Sequence, residues 1–188
     1  MSIQSKDSSR TNYKWIGKNT RRPDGVDKVT GRARYGDDMM LPGMLYAKIL
    51  RSPHAHAKIL SIDVSRAQAL KGVKGVITSA DIPDHPLSEP PYAPIINDLH
   101  DISRNVMARE KALYDGHAVA AVAATSEEIA QKALKLISVE YEVLPHVLDP
   151  LEAAAPDAPI LHEYQYTHGI EPKPDRPSNV FRTISGQR

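Results

Sequence analysis

Hydrophobic and polar positions alternate in two stretches of the first half of the chain, and both stretches predict β-strands. The first is LYAKIL, and in the second, AKILSIDV, the apolar residues Leu60, Ile62 and Val64 fall on one face. We expect that face to be buried. Ser65 is a candidate helix N-cap, Gly72 is a candidate helix terminator, and VKGVIT then begins another strand. The pattern predicts a strand-helix-strand unit.

A second unit of the same kind begins at Ala118, where the run AVAAVAA predicts a strand that is covered on both faces. The next residues, from Thr125 to Glu128, form a capping-box sequence, which predicts that a helix begins there. The segment SVEYEV follows the helix and alternates apolar with acidic residues, as a half-exposed strand does. The apolar positions at helical spacing between these two strands are Ile129, Ala133, Leu134 and Ile137.

Three segments lack this regular periodicity. Residues 1–24 are polar and basic without helical or strand period, and we interpret them as an extended arm. Residues 83–94 contain five prolines, a density that strand and helix interiors do not tolerate, so a long loop is predicted. A second proline-rich stretch covers residues 156–177, and the final NVFRTISGQR starts like a new element and stops. We therefore expect the end of the chain to be a cut.

Charge and composition exclude several classes of function. Lys and Arg total 24 against 23 for Asp and Glu, so no strong field would attract nucleic acid, and we expect no nucleic-acid partner. The chain contains no cysteine, which excludes disulfides, thiolate-bound zinc and an iron-sulfur cluster of its own. This composition fits a reducing compartment, and a cytoplasmic location is expected. The longest apolar run, AVAAVAA, is too short to cross a bilayer, so no membrane association is expected.

Two histidine-containing motifs are candidates for chemistry. In RSPHAHAKI, His54 and His56 stand one residue apart and could point the same way from an extended chain as a metal pair. Nothing nearby supplies further ligands, so we favour polar residues bonded to backbone or packed at an interface. In NDLHD, Asp98, His100 and Asp101 could bind metal or exchange protons, but a solvated loop is the favoured interpretation.

Other catalytic classes have no support in the sequence. No serine stands in a G-x-S-x-G elbow, and the glycines of GVDKVTGRARYG lack the phosphate-binding G-x-x-x-x-G-K pattern. Nucleophilic catalysis and nucleotide binding of these types are therefore not expected.

Three collinear segments between Asp24 and Pro150 carry a resemblance to a known family. They are DGVDKVTGRARYGDDMMLPGMLYAKILRSPHAHAKILSIDVS, GVKGVITSADIP and DGHAVAAVAATSEEIAQKALKLISVEYEVLP. They resemble the amino-terminal part of the molybdenum-binding subunit of the xanthine dehydrogenase and aldehyde oxidase family. Among the members of the family, this sequence looks most like the bacterial three-subunit hydroxylases, including those similar to 4-hydroxybenzoyl-CoA reductase.

The resemblance implies a fold and a division of the chain. The expected fold is an α/β (α+β) hammerhead domain, built from two strand-helix-strand units on a mixed sheet. The domain would cover residues 25–150 and follow the extended arm of residues 1–24. Residues 151–188 would then be a linker and the start of the molybdenum cofactor-binding region, most of which would lie beyond this chain.

The resemblance also implies an activity and its cofactors. Family members carry a molybdopterin cofactor, often the cytosine dinucleotide form in bacteria, and hydroxylate aldehydes or aromatic heterocycles with water. Electrons pass through 2Fe-2S clusters to FAD, so the implied partners are the remainder of the molybdenum subunit, an iron-sulfur subunit and an FAD subunit. The catalytic, cofactor-binding and metal-binding residues of the family lie downstream of the region present here. We therefore assign none in this chain and expect it to be inactive alone.

Two groups of residues are candidates for supporting roles. Arg51, His54 and His56 are candidates for subunit contacts. By the resemblance, the hammerhead domain lies beside the substrate funnel, and the proline-rich connection is the part expected to reach the funnel wall. The funnel candidates are Pro94, Ile95 and Ile96.

Two alternative functions remain open at this point. The chain could be a free-standing small subunit that docks against a separate catalytic chain. It could also be an independent metal-dependent enzyme. The residues that such an enzyme would use are His54, His56, Asp98 and His100.

Overall fold

A computed structural model describes residues 13–87, 99–172 and 174–186. The chain divides into two compact units, Met1–Pro42 and Gly43–Arg188. In its described part, the first unit has one short helix, α1 (Gly25–Val29), and a 3-10 turn at Gly36–Asp38.

The second unit contains six strands and four α-helices within the described residues. The strands are β1 (Tyr46–Arg51), β2 (Ala57–Asp63), β3 (Val73–Thr78), β4 (Lys111–Ala112), β5 (Ala118–Ala124) and β6 (Ser138–Val143). The helices are α2 (Ser65–Gln68), α3 (Leu99–Val106), α4 (Glu127–Leu134) and α5 (Pro150–Ala153).

The strands form two three-stranded sheets, with orders β1-β5-β3 and β4-β2-β6. The α/β class and both predicted strand-helix-strand units are confirmed, since β2-α2-β3 and β5-α4-β6 follow one another in the chain. The expectation of a mixed sheet was wrong for the described strands, because every pairing between them is antiparallel. Each strand-helix-strand unit has one strand in each sheet. Its two strands therefore pair with the two strands of the other strand-helix-strand unit.

Strand β5 is the centre of the first sheet, and its predicted cover on both faces is confirmed. Val119 and Val122 are fully buried on opposite faces of the strand, and Val122 packs with Ala67 of α2 and Ala133 of α4. The buried cluster on the helix side consists of Ala67, Val76, Val122 and Ala133. Part-buried residues around it include Leu134 and Ile137 of the predicted helical stripe.

The predicted buried face of β2 was wrong in part because the strand has a bulge. Ile59 pairs with Tyr141 and Ser61 pairs with Glu140, so Leu60 is an extra residue between them. The bulge leaves Leu60 55% exposed, while Ile59 and Ile62 are half-buried. A strict two-residue period cannot anticipate such a shift.

Two predicted helix starts lie one residue from their observed positions. The N-cap of α4 is Ser126, whose hydroxyl accepts from the Ile129 amide at 3.3 Å, and Thr125 precedes it. In α2, Ser65 is the first helical residue, and its amide donates to the Asp63 carboxylate at 2.9 Å.

Candidate functional site

The segment around Arg51 is fixed to the turn before β5. The Ser52 amide donates to the His117 carbonyl at 2.8 Å, and the Gly116 amide donates to the Ser52 carbonyl at 2.9 Å. The Arg51 guanidinium donates to the Gly116 carbonyl at 2.7 Å and remains exposed. The backbone of this segment is therefore held rigidly, with its charge at the surface.

His54 and His56 have separate surroundings. The His56 ring is buried, and its Nδ1 donates to the Pro145 carbonyl at 2.9 Å, because a carbonyl oxygen can only accept. The His54 ring packs edge-on against Tyr141, with ring centroids 5.0 Å apart. His56 is therefore a polar residue bonded to backbone, and His54 is a packed one, as the sequence analysis favoured. Across the described ranges, no group of three or more His, Asp or Glu residues is placed to hold a metal ion.

His117, which the sequence did not single out, connects three segments. Its ring is fully buried and stacks on Tyr114 at 4.4 Å between centroids. Nδ1 accepts from the Leu113 amide at 3.1 Å, and Nε2 donates to the Arg104 carbonyl at 2.9 Å. Burial lowers the pKa of His117, so the neutral ring is favoured.

His100 and Asp101 lie on helix α3, so the prediction that they belong to a solvated loop was wrong. His100 is buried, and its Nδ1 lies 3.2 Å from the Asp101 carboxylate. The helix turns the polar His100 and Ser103 toward the domain. A loop of short polar residues would instead have faced water. Asp98 lies outside the described residues.

Asp101 also joins α3 to the carboxyl-terminal part of the chain. The Tyr164 hydroxyl donates to the Asp101 carboxylate, and His162 Nδ1 lies 3.2 Å from the same hydroxyl. Burial lowers the pKa of His162, although the nearby Asp101 charge acts in the opposite direction. Sequence reasoning missed this cluster because Asp101 and Tyr164 are 63 positions apart.

Two neighbouring cavities flank this cluster. One, of about 480 Å³, lies between α3 and the segment that contains His162 and Tyr164. The other, of about 390 Å³, includes His56 in its wall. Both cavities are mainly apolar, and they share the lining residues Leu113, Tyr114, Leu161, His162 and Gln165. They form one cleft at the surface of the second unit.

The structure brings the sequence-predicted residues together only in part. Arg51 and His56 are both fixed by contacts within the second unit, but His54 and His100 do not join His56 in a single site. The funnel candidates lie outside the described residues. These are Pro94, Ile95 and Ile96.

Residues 30–145 match the family described as "Aldehyde oxidase and xanthine dehydrogenase, a/b hammerhead domain". The chain belongs to this family. The matched range includes both sheets and helix α3, so the hammerhead domain contains the elements on which Arg51, His56 and His117 lie.

Curated relatives of this hammerhead chain are parts of larger enzymes. The carbon monoxide dehydrogenase large chain of Afipia carboxidovorans is 40% identical over 148 residues, which cover 79% of this chain and 18% of the relative. The xanthine dehydrogenase molybdenum-binding subunit of Escherichia coli O157:H7 is 40% identical over 142 residues, covering 75% of this chain and 19% of the relative. The chain thus spans about a fifth of the length of these relatives.

A solved structure supports the hammerhead fold. The aldehyde oxidoreductase of Desulfovibrio gigas superposes with a TM-score of 0.64 at 32% identity, over 77% of this chain and 16% of that chain. Among the described residues, no helix is long and apolar enough to span a membrane.

Proposed function

We propose that this chain is the hammerhead part of the molybdenum-binding subunit of a multi-subunit hydroxylase, and that turnover requires the rest of that subunit. The match of residues 30–145 to the family hammerhead domain carries this proposal. Relatives that include a molybdenum-binding subunit and a carbon monoxide dehydrogenase large chain support it. The substrate class would be an aldehyde or an aromatic heterocycle, and the complex would be cytoplasmic.

The described residues do not fit a molybdopterin, so the proposal assigns the cofactor to the rest of the subunit. A pterin with its phosphates needs many converging hydrogen-bond donors. In the cleft, Arg104 already bonds Asp84 and Glu110, and the Asn179 amide nitrogen already donates to two backbone carbonyls. The cofactor is expected in its cytosine dinucleotide form. An iron-sulfur subunit with 2Fe-2S clusters and an FAD subunit would complete the electron path.

The segment that contains Arg51, His54 and His56 would support assembly. Arg51 presents an exposed charge from a rigid segment, as a subunit contact requires, and His54 and His56 lie just beyond it. We therefore keep all three as contact candidates. Changing both histidines to alanine in the complete enzyme should leave molybdenum content unchanged and reduce the amount of intact complex in native mass spectrometry.

The proline-rich connection remains the candidate for the funnel wall. A few methylenes of pocket wall change substrate discrimination by roughly 1 to 3 kcal/mol. In the complete enzyme, Ile95→Ala and Ile96→Ala should therefore change the ratio of kcat/KM between large and small substrates, as a Pro94 variant also should. If the kcat/KM ratio stays constant over several substrate sizes, this segment is only a connector.

The proposal as a whole is tested by expressing the complete reading frame with a tag on this domain in its native host. We expect iron-sulfur and FAD subunits to co-purify, with the visible absorption of both cofactors and dye reduction by aldehydes or heterocycles. A tagged protein that is folded and expressed but carries neither partner would contradict the multi-subunit assignment.

A further inference from the structure

Helix α3 presents its apolar residues to solvent. Leu99, Ile102 and Val106 recur at spacings of three and four, so they lie along one face, and they are 56%, 41% and 58% exposed. The buried positions of the helix are the polar His100 and Ser103. This is the reverse of an ordinary surface helix, whose apolar stripe faces the core. An exposed apolar stripe of this kind marks an interaction surface.

The orientation of α3 is fixed by polar contacts on its inner side. The carbonyl of Arg104 accepts a hydrogen bond from Nε2 of His117 at 2.9 Å. Arg104 extends from the helix to the Asp84 carboxylate at 3.0 Å and to the Glu110 carboxylate at 3.1 Å. These contacts define the inner face of α3. The apolar stripe lies on the other side of the helix and therefore faces outward.

The stripe continues into the cleft. Ile102 is part of the wall of the 480 Å³ cavity, together with the apolar Leu113, Leu161 and Phe181. The adjoining 390 Å³ cavity shares Leu113 and Leu161 and extends to His56. The stripe and the two cavities, which we call the α3 cleft, therefore form one mainly apolar surface of the second unit.

His56 adds a specific polar requirement to the α3 cleft. The residue is 6% exposed, and its Nε2 has no hydrogen-bond partner among the described residues. Its Nδ1 proton is already donated to the Pro145 carbonyl, so Nε2 of the neutral ring can only accept. A buried acceptor without a donor is costly, and a ligand that brings a donor removes that cost.

We propose that the α3 cleft docks an apolar segment with one hydrogen-bond donor, supplied by the part of the molybdenum subunit beyond this domain. This inference rests on the proposed function. The relatives are about five times as long as the matched region, so abundant chain exists to fill the cleft. An apolar occupant fits better than a charged one, because Arg104 at the cavity wall is already paired with Asp84 and Glu110.

Cysteine labelling tests the docking directly, since the chain has no cysteine of its own. Ile102→Cys is introduced into the 188-residue chain and into the complete subunit, and maleimide labelling of position 102 is followed at the peptide level by mass spectrometry. We expect the introduced thiol to react about tenfold or more slowly in the complete subunit, which corresponds to about 1.4 kcal/mol of protection. Equal rates in the two proteins would overturn the proposal.

Leu60→Cys is the matched control, because Leu60 is also exposed but lies on the bulge of β2 and is not among the residues that line the α3 cleft. Its labelling rate should change little between the two proteins. If the Ile102→Cys variant of the 188-residue chain becomes protected as protein concentration rises, a second copy is the occupant and the proposal is contradicted.

A second variant tests the donor to His56. In His56→Asn the amide nitrogen can keep the bond to the Pro145 carbonyl, but the Nε2 acceptor is lost. Combined with Ile102→Cys in the complete subunit, this change should accelerate labelling of the introduced thiol severalfold. In the 188-residue chain it should leave the labelling rate unchanged. No acceleration in the complete subunit would contradict the donor assignment.

Molybdenum content and dye reduction, measured on the same preparations, separate this inference from the proposed function. Protection of the introduced thiol in a subunit without molybdenum would support docking and contradict the proposed function. Full molybdenum content and turnover with an unprotected thiol would support the function and contradict docking.

Discussion

Nε2 of the fully buried His117 donates a hydrogen bond to the carbonyl oxygen of Arg104, 2.9 Å away, and so joins the strand β5 region to the end of α3. The other ring nitrogen accepts from the Leu113 amide, which fixes the tautomer. Protonation of Nδ1 would remove that acceptor and place a charge in a buried site. The ring is therefore both a structural link and a site of acid sensitivity.

The first prediction is that acid destabilises the 188-residue chain through His117. Burial lowers the pKa of this histidine below its ordinary value of 6.5 in the folded state. The folded protein then binds fewer protons than the unfolded chain below about pH 6.5, so the free energy of unfolding decreases as pH falls. Above that pH, the contribution of His117 to the free energy of unfolding is complete. His162, whose pKa burial also lowers, adds in the same direction.

Urea unfolding at pH 7.5 and pH 5.5 measures this effect. His117→Gln should reduce the loss of stability between the two pH values, because the titrating ring is gone. The exposed His146 provides the control, and His146→Gln should retain the loss seen in the parent chain. A His117→Gln chain with an unchanged pH dependence would contradict the assignment.

Val122→Ala should lower the free energy of unfolding by about 1 to 3 kcal/mol, because it removes two buried methyl groups and leaves a cavity. Val122 is 1% exposed at the centre of the core cluster. Val143→Ala in the exposed end of β6 removes the same atoms and should cost about 0.5 kcal/mol or less. Chemical denaturation of both variants checks the difference, and similar losses would show that β5 is not the centre of the core.

Ser126→Ala should destabilise the chain by about 1 kcal/mol, since it removes the cap of the Ile129 amide. Thr125→Ala, one residue earlier, should cost less because the Thr125 side chain does not cap the helix. Thermal unfolding of the pair distinguishes the two candidate caps. The reverse order of stabilities would place the helix start at Thr125, as the sequence predicted.

Gly72→Ala should destabilise the chain by roughly 1 to 3 kcal/mol, because the residue has positive φ and its surroundings are tight. Its φ is +99°, and a Cβ there would lie 2.7 Å from Cδ1 of Ile129. Gly75 in β3 has open space around a Cβ, so Gly75→Ala should be near neutral or stabilising. Equal effects in a denaturation experiment would refute the steric explanation.

The sequence was most informative where structure is local. The AVAAVAA strand and the helix after it were predictable because burial on both faces and the capping sequence are written within a few residues of each other. Leu60 was wrongly predicted to be buried, because the bulge depends on the partner strand β6, which no local pattern describes. The choice between Thr125 and Ser126 failed because both residue types cap helices.

Long-range contacts explain what the sequence did not anticipate about the α3 cleft. Asp101 bonds Tyr164 across 63 positions, and each sheet pairs a strand of one strand-helix-strand unit with a strand of the other. His100 looked like a loop residue because its neighbours are polar, and only its burial in the second unit makes a polar inner face favourable. The family could be recognised from the collinear motifs, whereas the cleft required the fold.

The most direct test of the proposed function is the molybdenum content of the purified complete subunit and of the 188-residue chain, measured by elemental analysis. The account predicts about one molybdenum atom for each complete subunit and none in the shorter chain, since the described cleft does not fit the cofactor. A correctly assembled complete subunit without molybdenum, or stoichiometric molybdenum in the 188-residue chain, would contradict it.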